Sequence, residues 1–287
     1  MKTSAIGTSP NFNGGRAPAS VLAAADAIPQ LIAVTSEVAP EHVGSLERVR
    51  AFSIPLLSGE FLETGESTLE HADAVSAILK SIGSSEMLQA AVYLVYASSH
   101  LNKPEEVITK AFGVAFADLA CETTKLMRVQ EQARAAQVAG LPVDDIATQT
   151  ENVRKMLLAF SKDLRVVLLR LASRLQTLRF YAASKRPVSP GMAREALQVF
   201  APLANRLGIW QMKWELEDLS FRFLEPDTYK EIARCLDEKR AERELYMEQL
   251  RARLESELRS RSISATVKGR PKHIYSIVKK MRGKSLN

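Results

Sequence analysis

A chain of 287 residues with 46% hydrophobic side chains is long enough for one large or two modest domains with a buried core. No apolar run reaches the length of a membrane span and the first residues show no secretory-signal pattern, while Cys121 and Cys235 lie too far apart for metal-type or disulfide-framework spacing. The net charge of +6 is unevenly placed: no acidic residue follows Glu257, whereas nine Lys and Arg residues do, which suits an anionic partner at that end.

Residues 1–20 are rich in Ser, Gly, Asn and Pro, a composition that predicts disorder. Val21 to Val34 is Ala-rich and interrupted by Pro29, which predicts two short helical pieces. Leu46 to Leu62 reads as a helix broken near Pro55. Ser67 or Thr68 is a suitable N-cap for a helix over Leu69 to Ile82 that ends at Gly83. Met87 to Ala97, MLQAAVYLVYA, is almost wholly apolar without strand alternation, so it predicts a buried central helix. Pro104 and the glutamates behind it open the next helix, and Val114 to Val129 forms another.

Gly140 begins a loop, and Val153 to Tyr181 carries the longest apolar period, with Asp163 as a local cap or interruption. Gly191 to Leu207 is helical. Gly208 then separates it from an amphipathic helix bearing Ile209, Met212, Leu216, Leu219 and Phe223. Trp214 lies off that stripe, which predicts packing on two sides, and Pro226 ends the helix. Asp227 to Leu258 reads as one long helix with a single apolar stripe and a wet remainder. Ile263, Ala265 and Val267 alternate with polar residues as a short strand, after which Pro271 begins a helix through Met281. A lone strand and helix cannot bury both faces of a sheet, so a partner layer is expected beyond them.

Few residues in the helical body carry chemistry. His71, Asp73, His100 and Asp118 are the candidates for a small cluster in its first half, and the central apolar helix adds no metal donor. The arginines of the next long helix, Arg165, Arg170, Arg174 and Arg179, read as salt-linked or exposed. The terminal motif GRPKHIYSIVKKM differs. Lys272, Ser276 and Lys279 or Lys280 fall on one side of the expected helix, and Arg270 sits before its first turn. Guanidinium, ammonium and helix-end N–H groups together suit a polyphosphate, the alternative being a solvated basic helix.

From about Leu69 onward the sequence resembles the N-terminal part of RelA/SpoT-type proteins, the enzymes of guanosine tetra- and pentaphosphate metabolism. The resemblance rests on ENVRKMLLAF, DLRVVLLRLASRL, APLANRLGIWQMKWELEDLSFRFLEP and GRPKHIYSIVKKM. It implies a mainly all-α fold: a disordered 1–20, an HD-type helical domain over 21–190, a helical connector over 191–258, and over 259–287 the first strand and helix of an α+β nucleotidyltransferase-like synthetase domain. The family's hydrolase holds a divalent metal, usually manganese. His71 matches its first His, but the His-Asp pair falls on Leu94 and Val95, the following acidic pair on Ser98 and Ser99, and the later Asp on Ser173. The resemblance therefore implies a degenerate hydrolase domain without manganese, with His71 a remnant.

The family's synthetase transfers pyrophosphate from ATP to the 3′-hydroxyl of GDP or GTP. Its basic element matches Arg270, Lys272, Ser276 and Lys279, which by carry-over meet the ATP phosphates. Its magnesium-binding and base residues are expected past Asn287, so the chain is expected to be an incomplete portion of a GTP diphosphokinase, inactive alone. The family's role in the stringent response implies a cytoplasmic protein, no membrane, and ribosome contact through regulatory domains absent here. The alternative is a stand-alone, non-catalytic helical regulatory or interaction protein.

Overall fold

The computed structural model of the protein describes residues 44–138, 163–238, 240–267 and 272–284. The expectations for 1–20, Val21 to Val34, the loop after Gly140 and the first part of Val153 to Tyr181 lie outside the described residues, as does Arg270. The described chain is mainly helical, as its apolar periods require.

Three helices and their caps build the first layer. Helix α1, Ser45–Leu57, continues through Pro55, because a proline in the last turn removes only one late hydrogen bond and the helix ends two residues later. Helix α2, Thr68–Ser81, is capped by Ser67, whose side chain accepts from the Glu70 N–H. Helix α3, Glu86–Ala97, is capped by Ser85 and is buried at every position from Met87 to Ala97. It lies among α1, α2 and the long helix α5, Val114–Val138, and also touches α6, Leu164–Ser184. Helix α4, Pro104–Phe112, starts at the proline as expected and pairs with α5. Asp163 caps α6 by accepting from the Arg165 N–H.

The segment after α6 begins with α7, Pro190–Glu195, passes through a π-helical turn at Ala196–Phe200 and ends as α8, Ala201–Arg206. Its apolar residues, among them Val199, Phe200 and Leu203, belong to the same core as α2, α3 and α6, so the core is continuous across residue 190. Gly208, with φ 72, takes the left-handed conformation that turns the chain into α9, Trp210–Leu224.

Helix α9 is packed on two sides, as the off-stripe Trp214 predicts. One side meets α6, α7 and the π-turn, and the other meets α10, Pro226–Glu238, and α12, Ile274–Gly283. Pro226 both ends α9 and opens α10. The helix expected from Asp227 to Leu258 is described as α10 and as α11, Arg240–Ser260, with residue 239 outside the described residues. On α11 the stripe residues Leu250 and Leu254 stay exposed, because no described element covers them.

Residues 263–267 are exposed or half-buried and form no ladder, and no strand occurs among the described residues. Alternation marks a segment able to pair, but a strand exists only when a neighbour supplies the hydrogen bonds. Helix α12 starts at Ile274 rather than Pro271, with His273 as its N-cap.

Truncating α3 tests its central place. Leu88 is fully buried on it, and Leu88→Ala is expected to lower the unfolding free energy by about 2–5 kcal/mol in denaturant titrations. A loss below about 1 kcal/mol would show a site that collapses freely or is not core.

Candidate functional site

A helix buried on every side forces its polar atoms to find partners inside the protein. Two tyrosines interrupt the apolar run of α3, and each hydroxyl does so on a different flank. Tyr93 donates to Asp73 Oδ1 at 2.7 Å. Arg50 holds the same carboxylate through Nε at 2.8 Å and Nη2 at 2.9 Å, and that bidentate contact keeps Asp73 well below the usual carboxylate range. Burial, with the Asp73 contact, pushes the Tyr93 phenol up to about 12.

Tyr96 points to the other flank. Its hydroxyl lies 2.9 Å from Ser173 Oγ on α6, and Ser173 Oγ lies 3.4 Å from His71 Nε2 on α2. His71 is 1% exposed, and its Nδ1 lies 2.6 Å from Glu66 Oε2. The other Glu66 oxygen accepts from Gln176 Nε2 at 2.6 Å. The ring of Tyr96 meets the His71 imidazole edge-on at 5.3 Å. A carboxylate only accepts, so Nδ1 carries the hydrogen. With Nε2 as acceptor, Ser173 donates to it and accepts from Tyr96, an order in which every member of the chain Tyr96, Ser173, His71, Glu66 has a partner. Burial pushes the Tyr96 phenol up to about 12, so it remains a neutral donor.

Beside this chain lies a cavity of about 140 Å³ lined in part by His71, Tyr96, Ser173, Arg170, Arg174 and Met192. The buried arginines are held by neighbours. Arg170 Nε donates to Gln130 Oε1 at 3.0 Å, and Arg174 Nη2 donates to Glu195 Oε2 at 2.8 Å while its guanidinium lies over Phe200 at 4.9 Å. The order Glu, His, Ser resembles a nucleophile relay. Ser173 lies within α6, however, where the neighbouring backbone N–H groups are spent on helical hydrogen bonds rather than turned to an oxyanion. The geometry can hold protons and a small polar molecule in place.

The structure thus brings His71 and Ser173 together. Leu94 and Val95 are fully or nearly fully buried on α3. Ser98 donates to Leu94 O at 2.6 Å and Ser99 to Tyr96 O at 2.9 Å, so both hydroxyls satisfy backbone of their own turn. The sequence-level cluster of His71, Asp73, His100 and Asp118 does not assemble. Asp73 is taken by Arg50, while His100 and Asp118 are exposed. Among the described residues no group of three or more His, Cys, Asp or Glu side chains could hold a metal ion. Glu66 and Tyr96 are the members that sequence reasoning missed. The signal for Tyr96 was a hydroxyl inside an otherwise apolar helix, which must have a partner.

At the other end, α12 is fastened to α9. Asp218 Oδ1 accepts from the Tyr275 N–H at 2.9 Å, and Asp218 Oδ2 lies 3.4 Å from His273 Nδ1. The His273 ring stacks on Trp214 at 5.1 Å. Arg282 donates to Glu225 Oε1 at 2.9 Å and holds that carboxyl below its ordinary range. Val278 is buried beneath the helix. Lys272 and Lys279 are exposed and Ser276 is half-buried. Because the helix starts at Ile274, Lys272 precedes it, and helical spacing relates Ser276 to Lys279 and Lys280 alone among these residues. Asp218 already occupies one N–H of the first turn, so anion attraction there rests on the side chains of Lys272 and Lys279 more than on the helix end.

The HD-domain family model matches residues 50–210. Among curated relatives, the chain is 37% identical over 235 residues to a probable guanosine-3′,5′-bis(diphosphate) 3′-pyrophosphohydrolase of Synechocystis, covering 82% of this chain and 30% of the relative. It is 39% identical over 202 residues to the GTP pyrophosphokinase of Escherichia coli, covering 70% and 26%. It is 36% identical over 223 residues to the GTP pyrophosphokinase of Streptomyces antibioticus, covering 78% and 25%. The chain therefore spans between a quarter and a third of the length of these relatives.

Two variants probe the buried chain of hydrogen bonds. The raised Tyr96 pKa means that the folded state prefers the neutral phenol, so stability is full below the ordinary tyrosine pKa and falls as pH rises from about 10 to about 12. Tyr96→Phe is expected to make that alkaline loss shallower in pH-dependent denaturation, while costing about 1 kcal/mol at neutral pH. An unchanged slope would refute the placement of the hydroxyl. Leu94→His combined with Val95→Asp is expected to destabilise by a few kcal/mol, about 2–5, because both replacements would be buried without designed partners.

Proposed function

This chain belongs to the HD-domain family, in its RelA/SpoT branch, and on that premise we propose that it serves pyrophosphate transfer rather than hydrolysis. The relatives' names cover both activities, so they do not choose between them. The observation that carries the choice is the buried chain Glu66, His71, Ser173, Tyr96, in which both ring nitrogens of His71 face protein partners. Divalent transition metals favour imidazole and carboxylate donors. Here one imidazole and one carboxylate are bonded to each other, the other members of the chain are a serine hydroxyl and a phenol pushed up to about 12, Glu63 and Glu131 of the cavity lining are exposed, and among the described residues no three such donors converge, while Leu94 and Val95 are buried hydrocarbon on α3. This donor set does not fit manganese, and no hydrolytic step is assigned to it. The body over 21–190 is in this reading a degenerate hydrolase domain, retained as a folded platform.

The proposed reaction is transfer of pyrophosphate from ATP to the 3′-hydroxyl of GTP or GDP, by a protein of its relatives' length, in the cytoplasm during the stringent response. Residues 191–258 form the connector and 259–287 the first part of the synthetase unit. Lys272 and Lys279, with Arg270 before them, neutralise ATP phosphates, and Ser276 steadies the turn between them. Magnesium, held by residues of a protein of the relatives' length, would offset phosphate charge when bound. The described part of 259–287 contributes cations and a docked helix, and the segment 263–267 awaits a strand partner. Ribosome contact belongs, in this reading, to regions outside this chain. No described helix is long and apolar enough to cross a membrane.

In a protein of the relatives' length, Lys272→Ala is expected to reduce pyrophosphate transfer on the order of 10²-fold, with unchanged thermal unfolding of the helical body. Residues 1–287 alone, given magnesium, ATP and GDP, are expected to make no guanosine tetraphosphate, and given manganese and guanosine tetraphosphate to release no pyrophosphate. Full transfer activity of the Lys272→Ala protein would remove the phosphate-binding assignment, and manganese-dependent hydrolysis would remove the degenerate-centre assignment.

A further inference from the structure

A second, larger concavity lies at the C-terminal end of α9, beside Phe223. It is a groove of about 540 Å³ formed by the end of α6, the segment after it, the end of α9 and the first turns of α10. This volume lies within the range of small-molecule sites. Its lining includes the cations Lys185, Arg186, Arg222 and Lys230, and no acidic residue. The remaining lining is largely aromatic or apolar, with Tyr181, Phe223 and Tyr229 prominent.

Helix termini explain only part of this charge. Lys185 is the C-cap of α6 and Arg222 lies in the last turn of α9, where cations complement the helix dipole. Lys230 has no such reason. It lies near the N-terminus of α10, whose own positive end opens on the groove at Pro226. Nearby carboxylates do little to compensate. Glu225 is held by Arg282, and Asp227 is fully exposed and reaches Lys230 only at 4.0 Å. Arg186 spends one N–H on Thr64 O at 2.7 Å. Lys185 takes a left-handed backbone conformation, φ 55, immediately before Arg186 and Pro187, so strained backbone is retained at the groove edge. Like charges gathered around one hollow repel each other and are offset when an anion enters.

We propose that this groove binds a phosphorylated nucleoside unit, its phosphate between Lys185 and Arg222 and its base against Tyr181 and Tyr229. Cations beside aromatic faces are the pairing that recognises both halves of a nucleotide. The same unit can arrive as a free nucleotide or as one residue of a single-stranded nucleic acid. The site is separate from Lys272 and Lys279 and does not depend on the pyrophosphate-transfer reading.

Calorimetric titration of the full chain with 5′-AMP, adenosine, inorganic phosphate and a short single-stranded oligouridylate tests the assignment. 5′-AMP is expected to bind at least about tenfold more tightly than adenosine or inorganic phosphate. Lys185→Ala combined with Arg222→Ala is expected to weaken 5′-AMP at least about tenfold, and Lys230→Ala less, with unchanged thermal melting since all three side chains are exposed. Tyr229→Leu is expected to narrow the preference for 5′-AMP over phosphate. Tighter binding of the oligouridylate would assign the unit to a single strand, and weaker binding to a free nucleotide. No binding of either, equal binding of phosphate and 5′-AMP, or binding indifferent to Lys185 and Arg222 would each overturn the proposal.

Discussion

The complete burial of α3 is the constraint on which the rest of the body depends. Eleven successive residues, Met87 to Ala97, have no wet face. The neighbouring helices must therefore supply apolar surface all round it, and α1, α2, α5 and α6 do so. Burial of hydrocarbon drives this arrangement, but it also removes water from the two phenols on the helix. Each phenol then dictates a polar cluster on its own flank. Tyr93 calls for Asp73, which Arg50 neutralises at the half-exposed edge. Tyr96 calls for Ser173, and through it reaches His71 and Glu66 in the interior.

These two clusters show how similar ingredients lead to different chemistry. At the edge, a guanidinium makes the carboxylate a stable anion. In the interior, a carboxylate meets an imidazole whose other nitrogen faces a hydroxyl, and the polar groups form a continuous line of partners. The interior chain is therefore a satisfied polar filling between α2, α3 and α6. A half-satisfied network in that place would cost more than an apolar one.

Helix α9 extends the same core outward. Its inner face completes the body with Met212 and Leu216, while Trp214, Asp218 and Phe221 receive α12 through ring stacking, a capping carboxylate and the Tyr275 ring. Asp218 is well placed for this role because the N-terminus of α12 is electropositive and lacks a side-chain cap of its own. The orientation of α12 is thus set by a helix more than fifty residues earlier in the chain. The neighbouring ion pair of Glu225 with Arg282 has a second effect, since it leaves the adjoining groove without that acid as a counter-charge.

Local chemistry determined most of the helices from sequence alone. The apolar run of α3, Ser67 before α2, Pro104 at the start of α4, Asp163 before α6 and Gly208 before α9 each act within a few residues, so their spacing was sufficient. The apolar identity of Leu94 and Val95 was legible for the same reason, as residue identity needs no folding. What the tertiary structure decided was every property that depends on a distant partner. Glu66 precedes α2 in an unremarkable polar loop, and only folding brings it to His71 and, more than a hundred residues later in the chain, to Gln176. The alternation at 263–267 could announce an ability to pair but could not supply a neighbour. The proline at 271 suggested a helix start, yet Asp218 on α9 receives the N–H of Tyr275, in the first turn that follows His273. Helical periods are set by the chain's own backbone geometry, whereas a hydrogen bond across the core exists only once two separate segments have been packed against each other.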